Sequence, residues 1–116
     1  MMGHLEVSCP ARELLARLGD KWTMVAVVAL STGPKRSGEL RRALPGVSQK
    51  VLTELLRSLE RDGLLSRHVL GPFRAEYRLT PLGVSLAALL EQIQAWAETH
   101  FKEVSARRAA HDTRGS

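Results

Sequence analysis

Leu44-Pro45-Gly46-Val47-Ser48-Gln49-Lys50-Val51-Leu52-Thr53-Glu54-Leu55-Leu56-Arg57-Ser58-Leu59-Glu60-Arg61-Asp62-Gly63 is the stretch on which the fold turns. Pro45-Gly46-Val47-Ser48 is a tight turn before a capped helix start, because Pro and Gly cannot continue a helix and Ser caps one. From Ser48 to Asp62 the apolar positions are Leu52, Leu55, Leu56 and Leu59, a one-sided helical stripe that Gly63 terminates. The opposite face carries Gln49, Lys50, Thr53 and Arg57 and is free for a partner. Ahead of the turn, Ser37 to Leu44 reads as a short helix with Leu40 and Leu44 four apart. The result is two helices joined by three or four residues.

Upstream, Thr32-Gly33-Pro34 stops a helix that Asp20 caps, in which Trp22, Val25, Ala26 and Ala29 recur at helical spacing as the expected core face. Ser8 and Pro10 start a first helix with Leu14, Leu15 and Leu18 on one face before Gly19. Downstream the period changes. Leu65 to Leu70 has the length and boundaries of a strand, Gly71-Pro72-Phe73-Arg74 breaks it, and Glu76-Tyr77-Arg78-Leu79 alternates polar and apolar, so a hairpin is expected. Thr80-Pro81 then opens a long helix carrying Leu82, Leu86, Leu89, Leu90, Ile93, Trp96, Ala97, Phe101 and Val104. Its span to Val104 is about 36 Å, more than so small a domain can cover, so its apolar stripe is expected to pair with the terminal helices of a second copy. The expected division is a domain over residues 1–104 and a polar tail over 105–116.

Composition narrows the function. A chain of 116 residues with 44% apolar and 25% charged side chains fits one folded domain. Its longest apolar run, Met24 to Leu30, is seven residues, while a membrane span needs about 20, and residues 1–10 lack a signal-peptide core; a soluble, cytoplasmic protein is expected. Between Lys35 and Arg78 there are ten Lys or Arg against five acids, net +5, while the remainder is neutral with seven of each. Such a localised basic field attracts a phosphate backbone. Nothing points to a reaction centre. His4, His68, His100 and His111 have no metal-ligand spacing, so neither metal nor cofactor is expected. Gly33 and Gly38 have the glycine spacing of a phosphate loop, but Glu39 stands where that motif needs Lys. No Ser, Cys or His falls in a nucleophile arrangement, and no enzymatic activity is expected.

Helix, turn, capped helix and basic hairpin in this order indicate a mainly α fold with a small β-hairpin, a winged helix-turn-helix for double-stranded DNA. Ser48, Gln49, Lys50 and Thr53 are candidate DNA-binding residues, the last three on the first turns of the helix where they meet base edges; Lys35, Arg36, Lys50, Arg57, Arg67 and Arg74 are candidate phosphate contacts. The rival reading is a winged helix that serves protein-protein assembly without binding duplex.

The chain resembles the HxlR-type winged helix-turn-helix regulators of bacteria, relatives of the MarR type. The matching stretches are Cys9-Pro10, Leu18-Gly19-Asp20-Lys21-Trp22-Thr23, Gly33-Pro34-Lys35-Arg36, Glu39-Leu40-Arg41-Arg42, Val47 to Thr53, Leu56 to Leu64 and Glu76 to Gly83, running from about residue 9 to Trp96. The resemblance implies a homodimer with helical dimerisation elements at both termini, bound to an inverted-repeat operator and repressing or activating neighbouring genes. The chain departs from the pattern at Ser37-Gly38, where an aromatic and then Ser are usual, and at a shorter, less proline-rich hairpin tip, where Arg74 is a candidate phosphate or minor-groove contact. In some relatives a cysteine at the place of Cys9 senses oxidants or electrophiles. Here a helix N-terminus and nearby Arg12 favour negative charge at that point, which makes Cys9 a candidate redox sensor and an oxidant or small molecule a candidate effector. With one cysteine in the chain, any disulfide must join two chains. Trp22 and Trp96 lie on apolar stripes, where core or dimer packing is the default and an effector pocket the alternative.

Overall fold

Side-chain oxygens set the helix starts in the computed structural model, which describes residues 8–115; residues 1–7, His4 among them, and Ser116 lie outside it. Ser8 Oγ accepts the Ala11 amide (3.4 Å) at the start of α1 (Cys9–Leu18), which holds Pro10 in its first turn. Asp20 Oδ1 accepts the amides of Trp22 (2.9 Å) and Thr23 (3.3 Å) and opens α2 (Lys21–Leu30). Ser48 Oγ accepts the Val51 amide (3.1 Å) at α4 (Gln49–Arg61), and Thr80 Oγ1 accepts the Gly83 amide (3.1 Å) at α5 (Pro81–Gly115). All four starts are those read from sequence. The short α3 (Ser37–Ala43) is capped differently: the Glu39 carboxylate accepts the Arg36 amide at 3.0 Å. Ending one residue early, α3 leaves five residues, Leu44 to Ser48, between the two helices rather than three or four. Each cap satisfies a backbone donor that the first helical turn leaves unpaired.

The hairpin forms as expected from β2 (Leu65–Gly71) and β3 (Arg74–Leu79), antiparallel with Leu65 opposite Leu79. Sequence reading missed a third strand, β1 (Lys35–Arg36), which pairs with β3 through Lys35 opposite Tyr77 and Arg36 opposite Glu76 and gives the order β1-β3-β2. Two residues are too few to show a period. At the tip the ladder shifts register between Val69 and Gly71, and Phe73 turns the chain with φ of 59°.

The core gathers Ala26, Val27 and Leu30 of α2, Leu40 and Leu44, Val47, the α4 residues Leu52, Leu56 and Leu59, Leu64 and Leu65, and Ala87 and Leu90 of α5. The inner face of α2 differs from the expected one: Thr23, Ala26, Val27 and Leu30 are buried, Trp22 and Ala29 are partly covered, and Val25 is 40% exposed. A helix apolar on every side from Met24 to Leu30 carries no periodic mark of its inward face, so packing chooses it. The last helix also differs, because α5 runs to Gly115 and takes in the stretch read as a polar tail. Ala106, Ala109, Ala110 and the arginines favour helix, no proline interrupts them, and Arg107 pairs with Glu103 one turn away (3.2 Å). None of the described helices is long and apolar enough to cross a membrane.

Of α5, Gly83, Ala87 and Leu90 are buried, while Leu82, Leu89, Ile93, Trp96 and Phe101 are 53–60% exposed. On α1 no residue is buried, and Leu15 is 59% exposed. At Gly83 α5 meets the domain backbone to backbone: a Cβ there would sit 2.0 Å from the Leu64 carbonyl oxygen, whereas one on Gly38 would meet nothing within 4 Å. Gly83→Ala is therefore expected to cost about 3 kcal/mol in a urea titration. Gly38→Ala is expected to be neutral or to stabilise by about 0.5 kcal/mol, from helix propensity alone. Equal stabilities for the two variants would contradict this packing.

Candidate nucleic-acid interface

The turn between α3 and α4 is pinned from inside. Leu44 and Val47 are buried, the Val47 amide donates to the Leu44 carbonyl (3.1 Å), and Gly46 supplies the positive φ of 89° between them. With the turn fixed and Leu52, Leu56 and Leu59 buried, the rotation of α4 is fixed as well, leaving Gln49, Lys50 and Arg57 exposed and Thr53 partly so. Gln49 Nε2 donates to Thr53 Oγ1 at 3.2 Å, which aligns the two side chains along one edge of that face. The Ser48 hydroxyl is committed to its cap.

Two adjoining concavities connect this helix to the wing. One is lined by Ser37, Thr53, Arg57, Glu60, Arg67 and Tyr77. The other holds Arg36, Ser37, Glu39, Arg42, Arg67, Val69, Phe73, Arg74 and Glu76. Sharing Ser37 and Arg67, they form one continuous surface from the polar face of α4 to the hairpin tip. Five exposed guanidiniums, those of Arg36, Arg42, Arg57, Arg67 and Arg74, stand around it, and among the described residues none of them is ion-paired. Of the three acids of the groove, Glu39, Glu60 and Glu76, two have partners of their own: Glu39 caps the Arg36 amide, and Glu76 accepts from Arg78 Nε (3.0 Å) and its terminal nitrogen (2.8 Å). A concave surface with uncompensated guanidiniums suits a polyanion with regularly spaced charges.

The structure thus brings together Arg36, Thr53, Arg57, Arg67 and Arg74 of the residues expected from sequence, with Lys50 and Gln49 on the same helix. Lys35 is placed apart, because strand alternation turns it away from Arg36 and its Nζ donates to Thr32 Oγ1 at 2.9 Å. Sequence reading missed Arg42. The signal was present, since Leu40 and Leu44 anchor one face of α3 and residue 42 lies on the opposite one.

Cys9 is exposed at the first residue of α1. Between α2 and α5 lies an apolar groove lined by Met24, Val25, Val28, Ala29, Leu90, Ile93 and Ala97, flanked by Lys21 and Gln94. Neither tryptophan lines it: the Trp22 ring lies under Lys21 Nζ (4.7 Å), and Trp96 stacks on His100 with ring centroids 4.8 Å apart. His68 Nε2 is 2.9 Å from Ser66 Oγ.

Residues 17–105 match the model of the HxlR-like helix-turn-helix family. The HTH-type transcriptional regulator YtfH of Escherichia coli (strain K12) is 39% identical over 102 residues, 86% of this chain and 81% of that protein. The solved structure of the ytfH regulator from Salmonella typhimurium superposes with a TM-score of 0.80 at 38% identity, over 88% of this chain and 93% of that one. Quinone-bound YodB from Bacillus subtilis, also solved after diamide treatment, superposes with a TM-score of 0.69 at 33% identity, over 80% and 99%.

The groove makes a prediction that separates two neighbouring cations. Arg42→Ala should lower the slope of log affinity for duplex against log salt by about one per bound protomer, as a lost phosphate contact does. Lys35→Ala should leave the slope close to wild type. Salt titrations of both variants on one duplex are the check, and a larger effect at Lys35 would mean that the nucleic acid lies elsewhere.

Proposed function

The chain belongs to the HxlR-like helix-turn-helix family, and from that premise we propose that it is a dimeric, sequence-specific DNA-binding regulator of transcription, acting in the cytoplasm and without enzymatic activity. One observation carries the proposal: the continuous cationic surface that joins the polar face of α4 to the wing. An α-helix fills the major groove, so α4 presents Gln49, Lys50 and Thr53 to base edges while Arg57 meets a phosphate one turn further on. Arg36, Arg42 and Arg67 hold the backbone beside it, and Arg74 reaches the backbone or the adjoining minor groove.

The second copy follows from the apolar surfaces left open on α1 and α5, which lie away from the cationic groove. Their burial against a partner's terminal helices gives two recognition helices related by a two-fold axis, hence an inverted-repeat operator. Footprinting of the DNA upstream of its own gene is expected to show two symmetric protected half-sites, and sedimentation at micromolar concentration a species of twice the 12.8 kDa protomer. On the cognate half-site, Gln49→Ala should cost about 1 to 3 kcal/mol with little change on scrambled duplex, whereas Arg57→Ala should weaken both alike. Equal losses for Gln49→Ala on the two duplexes would put the wrong face of α4 in the groove.

The exposure of Cys9 at a helix N-terminus supports a second part of the proposal, an oxidant or electrophile as effector. An electrophile such as a quinone is attacked by the thiolate at a ring carbon: the carbon-sulfur bond forms as the ring C=C π bond breaks, and the displaced electron pair moves to the carbonyl oxygen, which takes a proton from water. A two-electron oxidant such as diamide instead joins the Cys9 thiols of two chains in a disulfide and takes up their two protons. Operator affinity is therefore expected to change after diamide or quinone treatment of the wild-type protein and to stay constant in Cys9→Ser. Unchanged affinity after complete modification of Cys9 would remove sensing from its role.

A further inference from the structure

At the wing tip the chain exposes what most folds hide. Phe73 is fully exposed (relative accessibility 108%), and its φ of 59° makes it the one non-glycine residue in the left-handed region among the described residues. Both features disfavour phenylalanine: the ring stays in water, and the backbone conformation is one that Gly or Asn adopts with less strain. Val69 (66% exposed) and Leu70 (48% exposed) extend the apolar tip behind it. Around this tip stand Arg74, next in the chain, and Arg36, Arg42 and Arg67 across the groove. An apolar wedge in a collar of guanidiniums matches a nucleic-acid groove, where the collar meets phosphates and the ring meets stacked bases. A protein partner would instead have to supply an apolar socket rimmed by acids.

We propose that Phe73 is a wedge that enters the minor groove at the outer edge of each half-site, where it unstacks one base step and bends the duplex. This deepens the DNA-binding reading above and rests on it. Because pyrimidine-purine steps unstack most easily, the wedge makes operator choice depend on a step that α4 never touches.

Circularly permuted fragments of the DNA upstream of its own gene report bending, and permanganate reactivity reports unstacked thymines in the same complexes. Phe73→Asn is the variant of choice, since Asn suits the left-handed backbone and leaves the tip folded. Wild-type protein is expected to bend the fragment and to create reactive thymines at the outer edges of its footprint. Phe73→Asn should lose both, with the footprint of α4 retained and affinity lower by about tenfold, the scale of one lost base-aromatic stack. Bending, reactivity and affinity all equal to wild type would overturn the wedge while leaving DNA binding intact, and would leave the tip as a contact for another protein. No footprint from the wild-type protein would instead overturn the DNA-binding reading itself, and the wedge with it.

Discussion

Thr80 ties the recognition helix, the wing and the long terminal helix together at one point. Its amide donates to the Leu64 carbonyl (3.1 Å), its hydroxyl donates to the Gly63 carbonyl (2.5 Å), and the same oxygen accepts the Gly83 amide (3.1 Å). Gly63 and Leu64 follow the end of α4 and lead into β2, whereas Gly83 lies in the first turn of α5. Each bond is worth about 1 kcal/mol net, a modest sum, but together they permit one relative placement of three elements. Pro81 and the bare Cα of Gly83 let the helix come close enough for them to form. The junction adds to the β1–β3 pairing and to the buried Leu64 and Leu65 in holding the hairpin against α4.

The electrostatics of that surface depend as much on where the acids go as on where the arginines are. Asp62 is bound by Arg17 of α1, Glu76 by Arg78, and Glu39 by a backbone amide. Exposed pairs of this kind add little to stability. Their effect is to commit three of the five acids of the basic block to partners of their own, which leaves Glu60 as the one groove acid set against five unpaired guanidiniums among the described residues. The pairs are neutralising devices, and Arg17 shows that the neutralising charge can come from a different helix.

What could be read from sequence was what is encoded locally. The turn before Ser48, the leucine stripe of α4 and the caps at Ser8, Asp20 and Thr80 each depend on a few adjacent residues, and each stands where it was read. What escaped depends on partners far along the chain. The two residues of β1 become a strand because β3 lies beside them, and this pairing in turn directs Lys35 and Arg36 to opposite sides. The rotation of α2 escaped because an all-apolar helix does not mark its inner face. The length of α5 escaped because a polar stretch reads as a tail, although alanine, arginine and an ion pair one turn apart suffice to continue a helix already nucleated. Arg42 was legible in principle, since the leucines on either side of it state which way it points.

The 35 residues of α5 also decide how the protomer moves through solution. At about 52 Å the helix spans most of the 60 Å long axis of the molecule, and the radius of gyration of 17.4 Å exceeds the roughly 13 Å of a compact chain of this length. Such an elongated body drags more solvent than a sphere of equal mass. On a sizing column a single protomer would therefore elute with the volume of a heavier globular protein, and only a measurement that separates mass from shape can count its copies.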